Sequence, residues 1–202
     1  MPKTNTPQLK NKINKIANFF FEIASMRRLV RAHSQLIQEA DDNISDHSFR
    51  VAIIGMNLAT LEKCDVNRVL KMCLFHDVAE TRIGDTNFIN QQYSELHEEE
   101  ARNDQMAGLP VAGEILDLLK EFERRESKES IVAGDADLLD QMVLQREYFY
   151  KDNQNHEIWQ NHTEKSLKTE TAKKLAQQIR KTNPFEWLYQ LAEEKTGIKV
   201  NR

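Results

Sequence analysis

Two histidines and two aspartates carry the clearest chemical signal in this sequence. His76 and Asp77 are adjacent, His47 precedes them, and Asp137 follows far along the chain. Imidazole nitrogens and carboxylate oxygens together suit divalent ions such as manganese, cobalt, nickel, iron, zinc or magnesium. Four such ligands leave positions free on a six-coordinate ion, where water and a phosphate oxygen can bind. The pattern therefore indicates a bound divalent metal ion with free positions for water and a phosphate oxygen.

The spacing around these residues predicts the helices that carry them. Apolar residues follow His47 at helical steps: Val51, Ile54, Leu58 and Leu61. His47 therefore opens the apolar face of a helix. A second helix is predicted over residues 66–81, and on it His76 and Glu80 share a face one turn apart. Glu80 would lie within reach of a metal-bound water and is a candidate for proton transfer, although it could instead pair with Arg82 at the surface.

The histidines and aspartates also have purely structural alternatives. His47 alone could be a hydrogen-bonded histidine of the core. Asp137 shares its stretch with Asp135 and Asp140, and any of the three could serve at a helix start. Because buried carboxylates without a partner are strongly disfavoured, the combination of an inward imidazole with several carboxylates favours a bound cation.

The remaining periodicity is helical, and convincing β-alternation is absent. Further helices are predicted over residues 13–26, around 97–100, and over 111–125, 130–150, 163–181 and 184–195. We expect an all-α fold with three parts. These are a flexible lead at residues 1–12, a single helical bundle at 13–182, and a helical extension at 183–202 packed on that domain.

Composition narrows the class of partner. The chain has 202 residues, of which 40% are apolar and 30% charged, as is ordinary for one globular domain. A net charge of −4 argues against a nucleic acid polymer or an anionic membrane as the main partner. Cys64 and Cys73 show no CxxC pattern, and we expect reduced thiols. No apolar run approaches the ~20 residues of a membrane span, and no secretory signal is evident, so we expect a cytoplasmic protein.

Several segments resemble the HD-domain metal-dependent phosphohydrolases, in particular the branch similar to 5′-deoxynucleotidases. The segments are 45–52 (SDHSFRVA), 75–80 (FHDVAE), 83–85 (IGD) and 136–140 (ADLLD). The stretch ETRIGDTN at residues 80–87 adds to the specificity of the match. The resemblance extends over about residues 15–180, and it implies that the helical bundle is an HD domain.

The resemblance implies roles for individual residues. The positions of His47, His76, Asp77 and Asp137 would hold one divalent metal, which selects Asp137 over Asp140. Glu80 would activate the attacking water or serve the leaving group.

Two further positions would contact the substrate. Asp85 would contact the sugar, although a turn residue after Gly84 is an alternative. Arg31 matches the phosphate-reading arginine after a one-residue gap and without an aromatic neighbour; a solvated surface arginine is its alternative. We expect His33 to be a surface histidine, although it could replace a stacking residue of the family pattern. The resemblance also suggests a homodimer, for which the residues around Trp187 could provide the contact.

These observations favour hydrolysis of a phosphate monoester, in particular a nucleoside or deoxynucleoside 5′-monophosphate. One alternative is a phosphodiester or pyrophosphate hydrolase, against which Thr81 counts, because the alarmone hydrolases of this superfamily have an acidic residue there. Two-metal phosphodiesterases need further histidines, and only His97, His156 and His162 are available. The other alternative is a non-catalytic, metal-dependent nucleotide-binding module.

Overall fold

The computed structural model describes residues 6–35, 42–87, 89–148, 150, 156–197 and 199. These residues form ten α-helices, and the predicted all-α fold is confirmed. The helices are α1 (Thr6–Ile23), α2 (Ile44–Glu62), α3 (Val66–Phe75), α4 (Glu80–Ile83), α5 (Glu98–Met106), α6 (Ala112–Arg124), α7 (Lys128–Tyr148), α8 (His156–Ser166), α9 (Glu170–Lys181) and α10 (Glu186–Thr196). Short 3-10 turns cover Met26–Arg28, Ala32–Gln35 and Asn90–Tyr93. Within these ranges, no helix combines the length and apolar character that crossing a bilayer requires.

Helix α2 packs between α3 and α7 and forms the centre of the core with them. The side chain of Asn43 caps the start of α2 by accepting the N–H of Asp46 at 3.0 Å, which satisfies one of the free N–H groups of the first turn. At Gly55, a Cβ atom would lie 2.6 Å from the Sγ of Cys73. A glycine at this position therefore permits the close approach of α2 and α3.

The helix predicted over residues 66–81 is interrupted, which corrects its predicted end. Helix α3 ends at Phe75, and Val78, Glu80 and Thr81 donate their backbone N–H groups three residues back rather than four. This tighter turn separates α3 from the short α4. His76 and Asp77 therefore follow the last residue of α3 and lie in the tighter turn that leads to α4.

The segment predicted as one helix over residues 163–181 is two helices, α8 and α9. The carboxylate of Asp135 accepts the backbone N–H groups of Lys168 and Thr169 at 2.9 and 2.7 Å. Thr169 in turn caps α9 by accepting the N–H of Ala172. A buried carboxylate on another helix ends α8 here, which periodicity along 163–181 does not reveal.

The ends of the chain show one further difference. Helix α1 begins at Thr6, so residues 6–12 of the predicted flexible lead are helical. Pro7 lies in the first turn of α1, where a missing N–H has no consequence. At the other end, none of the residues of α10 is buried, and the ring of Phe185 lies 6.2 Å from that of Tyr150.

Candidate functional site

The structure brings together all four residues predicted as metal ligands. His47, in the first turn of α2, places its Nε2 3.3 Å from the Nε2 of His76 and 3.3 Å from an oxygen of each of Asp77 and Asp137. The His76 Nε2 lies 3.2 Å from Asp77 Oδ2 and 4.0 Å from Asp137 Oδ1. Ligands at about 2.1 Å on neighbouring positions of an octahedral ion lie about 3 Å apart. His47, His76 and Asp137 form a donor set that can hold a single divalent ion, and Asp77 adds a carboxylate oxygen beside both imidazoles.

Both imidazoles are oriented with Nε2 toward this centre. The Nδ1–H of His76 donates to the carbonyl oxygen of Cys73, at 2.9 Å. The Nδ1–H of His47 donates to Asp140 Oδ2, at 2.8 Å. Such bonds select the tautomer whose Nε2 lone pair is free for a metal. His47 is thus a site residue rather than a histidine satisfied only by the core.

The three aspartates of α7 occupy different positions, so the structure distinguishes between the three candidates that the sequence alone left open. Asp137 places a carboxylate oxygen at the centre, beside His47. Asp140 contacts His47 on the far side of the imidazole ring, and Asp135 accepts the N–H groups between α8 and α9. Helix α7 begins at Lys128, so all three lie in its interior. Only Asp137 of these three has a carboxylate oxygen among the converging donor atoms.

A partly buried chain of ion pairs lies behind His47. Arg50 donates from Nε and Nη2 to both oxygens of Asp140, at 2.7 and 3.0 Å. The same guanidinium donates to both oxygens of Asp42, at 3.0 and 2.9 Å. The sequence analysis assigned no role to Asp42 or Arg50, and it considered Asp140 only as a competitor of Asp137. A signal was present for one of them, because Arg50 follows His47 by three residues and so shares its helix face.

Arg31 and Asp85 both lie at this centre. Arg31 is 9% exposed, and its Nη1 lies 3.0 Å from Asp77 Oδ2 while its Nε lies 3.5 Å from Asp85 Oδ2. Asp85 Oδ2 also accepts the backbone N–H of Ala32, at 2.7 Å. Arg31 is therefore not a solvated surface arginine, and Asp85 has partners outside its own turn. The expected surface position of His33 was wrong as well, because His33 is half-buried and lines the same cavity.

The carboxyl groups of Glu80 and Asp77 have pKa values shifted in opposite directions. Burial, together with the neighbouring Asp77 and Asp85, raises the pKa of Glu80 to about 10 in the metal-free chain. Its buried Oε2 accepts no hydrogen bond from the described residues. Arg82, the alternative partner of Glu80, pairs with Glu22 instead. Burial opposes ionisation of Asp77, but the imidazoles of His76 and His47 hold its pKa well below the usual range.

These residues form one end of a cavity of about 670 Å³. The charged end contains Arg31, Asp77, Glu80, Asp85 and Asp137. The other end is formed by α7 beyond Asp137 and by α8, through Leu138, Gln141, Leu144, Gln145, Tyr148, His162, Thr163 and Ser166. The sequence analysis did not predict this second wall, although the α7 residues recur along one helix face.

Of the remaining histidines, His97 is exposed, and the side chain of His156 lies outside the described part of the structure.

Comparison with known proteins agrees with this geometry. A family model described as "HD domain" matches residues 23–180. The 5′-deoxynucleotidase HDDC2 of Dictyostelium discoideum is 27% identical over 133 residues, which cover 59% of this chain and 68% of that protein. The protein of the same name from Mus musculus is 27% identical over 115 residues, which cover 54% of this chain and 57% of the relative. The chain thus spans only a little over half the length of the mouse protein.

A solved structure shows the same fold. The predicted metal-dependent phosphohydrolase of Magnetospirillum magnetotacticum MS-1 superposes with a TM-score of 0.63 at 22% identity, over 83% of this chain and 90% of that one. Since the family model covers most of the chain, the protein belongs to the HD-domain family. It is an enzyme of the hydrolase class, a metal-dependent phosphohydrolase.

Proposed function

We propose that this protein hydrolyses the phosphate monoester of a nucleoside 5′-monophosphate, with deoxynucleotides as the preferred substrates. The observation that carries the proposal is the convergence of the four predicted ligands with Arg31 at one end of a cavity of about 670 Å³. That volume lies within the range of small-molecule sites, roughly 300–1,000 Å³. The relatives named 5′-deoxynucleotidase support the choice of substrate.

The charges around the cavity favour a monoester over a pyrophosphate or triphosphate. Arg31 is the only lysine or arginine among the described residues that line it, and it faces several carboxylates. A divalent ion and one guanidinium can offset the two negative charges of a single phosphate. A longer phosphate chain would bring further negative charge toward the same carboxylates without a matching cation.

Each residue then has a definite task in the proposed reaction. His47, His76, Asp77 and Asp137 would hold the ion, which when bound supplies Lewis acidity to the phosphoryl group. Arg31 binds phosphate oxygens and orients the phosphorus for in-line attack by water. Glu80 moves the proton between the attacking water and the leaving 5′ oxygen. Asp85 binds the sugar, as the resemblance to nucleotidases implies.

Phosphate release from deoxynucleoside monophosphates, with added manganese or cobalt, tests the proposal. We expect release by the wild-type protein, and a loss of at least a hundredfold in His76→Ala and Asp77→Ala, because each removes a proposed ligand. His97→Ala is the matched control, since His97 is an exposed histidine away from the cavity, and it should retain the wild-type rate. Unchanged release by His76→Ala would exclude the assignment.

The two alternatives predict different products from the same protein. A phosphodiester or pyrophosphate hydrolase would release nucleotide products from a cyclic nucleotide, an alarmone or a nucleoside triphosphate faster than it releases phosphate from a monophosphate. A binding module would bind metal and nucleotide, as shown by a rise in melting temperature, but would release no phosphate. A substrate panel analysed by chromatography distinguishes all three functions.

A further inference from the structure

The second wall of the cavity follows one face of α7. Leu138, Gln141 and Gln145 succeed Asp137 on this face, and Leu144 and Tyr148 complete it. An α-helix rises 1.5 Å per residue, so Tyr148 lies about 16 Å along the axis from Asp137. A nucleotide whose phosphate is at the charged end would therefore extend along α7, with its base beside the later residues of this face.

The chemistry of this wall differs from that of the charged end. The described α7 residues beyond Asp137 that line the cavity have apolar, aromatic or carboxamide side chains, and none has a charge. Helix α8 adds the hydroxyl side chains of Thr163 and Ser166. An apolar and aromatic surface with a few hydrogen-bonding groups suits a flat, uncharged ring system with a polar edge. A nucleobase has these properties.

Gln145 has an unmet hydrogen bond in this wall. It is 8% exposed, and its buried Oε1 accepts no hydrogen bond from the described residues of the chain. Buried acceptors in folded proteins nearly always have a donor, because burying an acceptor without a hydrogen bond costs free energy. The carboxamide also has donor hydrogens on Nε2, so it can pair with a base edge that has an N–H beside an acceptor.

We propose that Gln145 determines specificity by binding the N–H edge of the nucleobase. This inference rests on the proposed function, and it adds a recognition element for the part of the substrate that does not react. The amide of Gln145 accepts the ring N–H of thymine or an amino hydrogen of another base. The adjacent face of α7, at Leu144 and Tyr148, packs against the ring.

The test compares thymidine 5′-monophosphate with N3-methylthymidine 5′-monophosphate, which lacks the ring N–H. In the wild-type protein, we expect kcat/KM to be about tenfold higher for the unmethylated substrate, the size expected for one neutral hydrogen bond. In Gln145→Met, which conserves volume, this ratio should fall to about one. The control Gln177→Met, on the exposed face of α9, should keep the wild-type ratio.

The outcomes separate this inference from the proposed function. A wild-type ratio near one, or a tenfold ratio retained in Gln145→Met, overturns the role of Gln145. If the wild-type protein releases phosphate from no deoxynucleoside monophosphate, the proposed function fails. The calorimetric affinities of the metal-loaded protein for the two nucleotides then decide the role of Gln145 by the same ratio. The comparison of two substrates on the wild-type protein also holds if Gln145→Met does not fold.

Discussion

At the scale of single residues, the site depends on side chains that do not reach the proposed ion. Asp140 contacts the Nδ1 of His47, and Arg50 holds both oxygens of that carboxylate. A carboxylate behind a metal-binding histidine fixes the ring and increases its basicity. Asp140 is therefore a positioning residue. Its importance was hidden in the sequence, where it was only a competitor of Asp137 for a place in the metal site.

Replacing this carboxylate by an amide should weaken metal binding. In Asp140→Asn, we expect the affinity for manganese to fall about 10- to 100-fold, because the amide no longer stabilises the orientation of His47. Competition with a chromophoric chelator measures the affinity without reference to catalysis. Asp117→Asn is the control, since Asp117 is an exposed aspartate on α6. Equal affinities of Asp140→Asn and the wild type would show that Asp140 does not position His47.

At the scale of elements, helix periodicity predicted α2 and α6, because their apolar residues recur along a face that packs on the core. The sequence also predicted most of α7, whose buried residues lie on several sides of the helix. It failed where long-range contacts end a helix. The break between α8 and α9 depends on Asp135, a buried carboxylate on α7, and no local pattern in 163–181 indicates it. The second wall of the cavity was missed for the same reason, since it requires α8 to be placed beside α7.

Substitution of two glycines by alanine tests how tightly α2 packs against α3. In Gly55→Ala, the new methyl group would lie 2.6 Å from Cys73 Sγ and 3.2 Å from Val69 Cγ1. We expect a loss of about 1–3 kcal/mol of stability from this overpacking. Gly113→Ala in α6 meets no atom within 4 Å and should be neutral or stabilising by up to ~1 kcal/mol. Urea denaturation measures both changes; equal effects would show that α2 and α3 adjust freely.

At the scale of the whole molecule, the exposed apolar residues of the C-terminal helix are consistent with the expected homodimer. Trp187 is 67% exposed, and Leu191, one turn later, is 46% exposed. An apolar patch of this kind is often a site of protein association. We predict a homodimer in sedimentation equilibrium. The equilibrium should shift toward monomer in Trp187→Glu but not in Lys174→Glu, which changes an exposed residue of α9. A monomeric wild-type protein at all concentrations would contradict this prediction.

The residues at the charged end of the cavity were largely predictable from the sequence. The second wall, formed by α7 and α8, was not. His47, His76 and Asp77 are distinctive residue types in apolar surroundings, whereas the family resemblance was needed to select Asp137 over Asp140. Their convergence follows from the packing of α2, α3 and α7. Arg31 was harder to place, because it lies in an extended segment fixed by nonlocal contacts. Its backbone N–H donates to the carbonyl oxygen of Asp42, at 3.0 Å, and Val30 pairs with Asn43 in an isolated antiparallel bridge.

The shared guanidinium of Arg50 has a thermodynamic consequence. It donates hydrogen bonds to Asp42, whose backbone carbonyl accepts the N–H of Arg31. It also donates to Asp140, whose carboxylate contacts the Nδ1 of His47. If Arg31 binds phosphate and His47 binds the ion, as proposed, ordering either side favours the geometry needed by the other. Free-energy coupling between two ligands is reciprocal. Inorganic phosphate should therefore raise the affinity of the protein for the ion in a chelator competition, and the ion should raise the affinity for phosphate by the same factor.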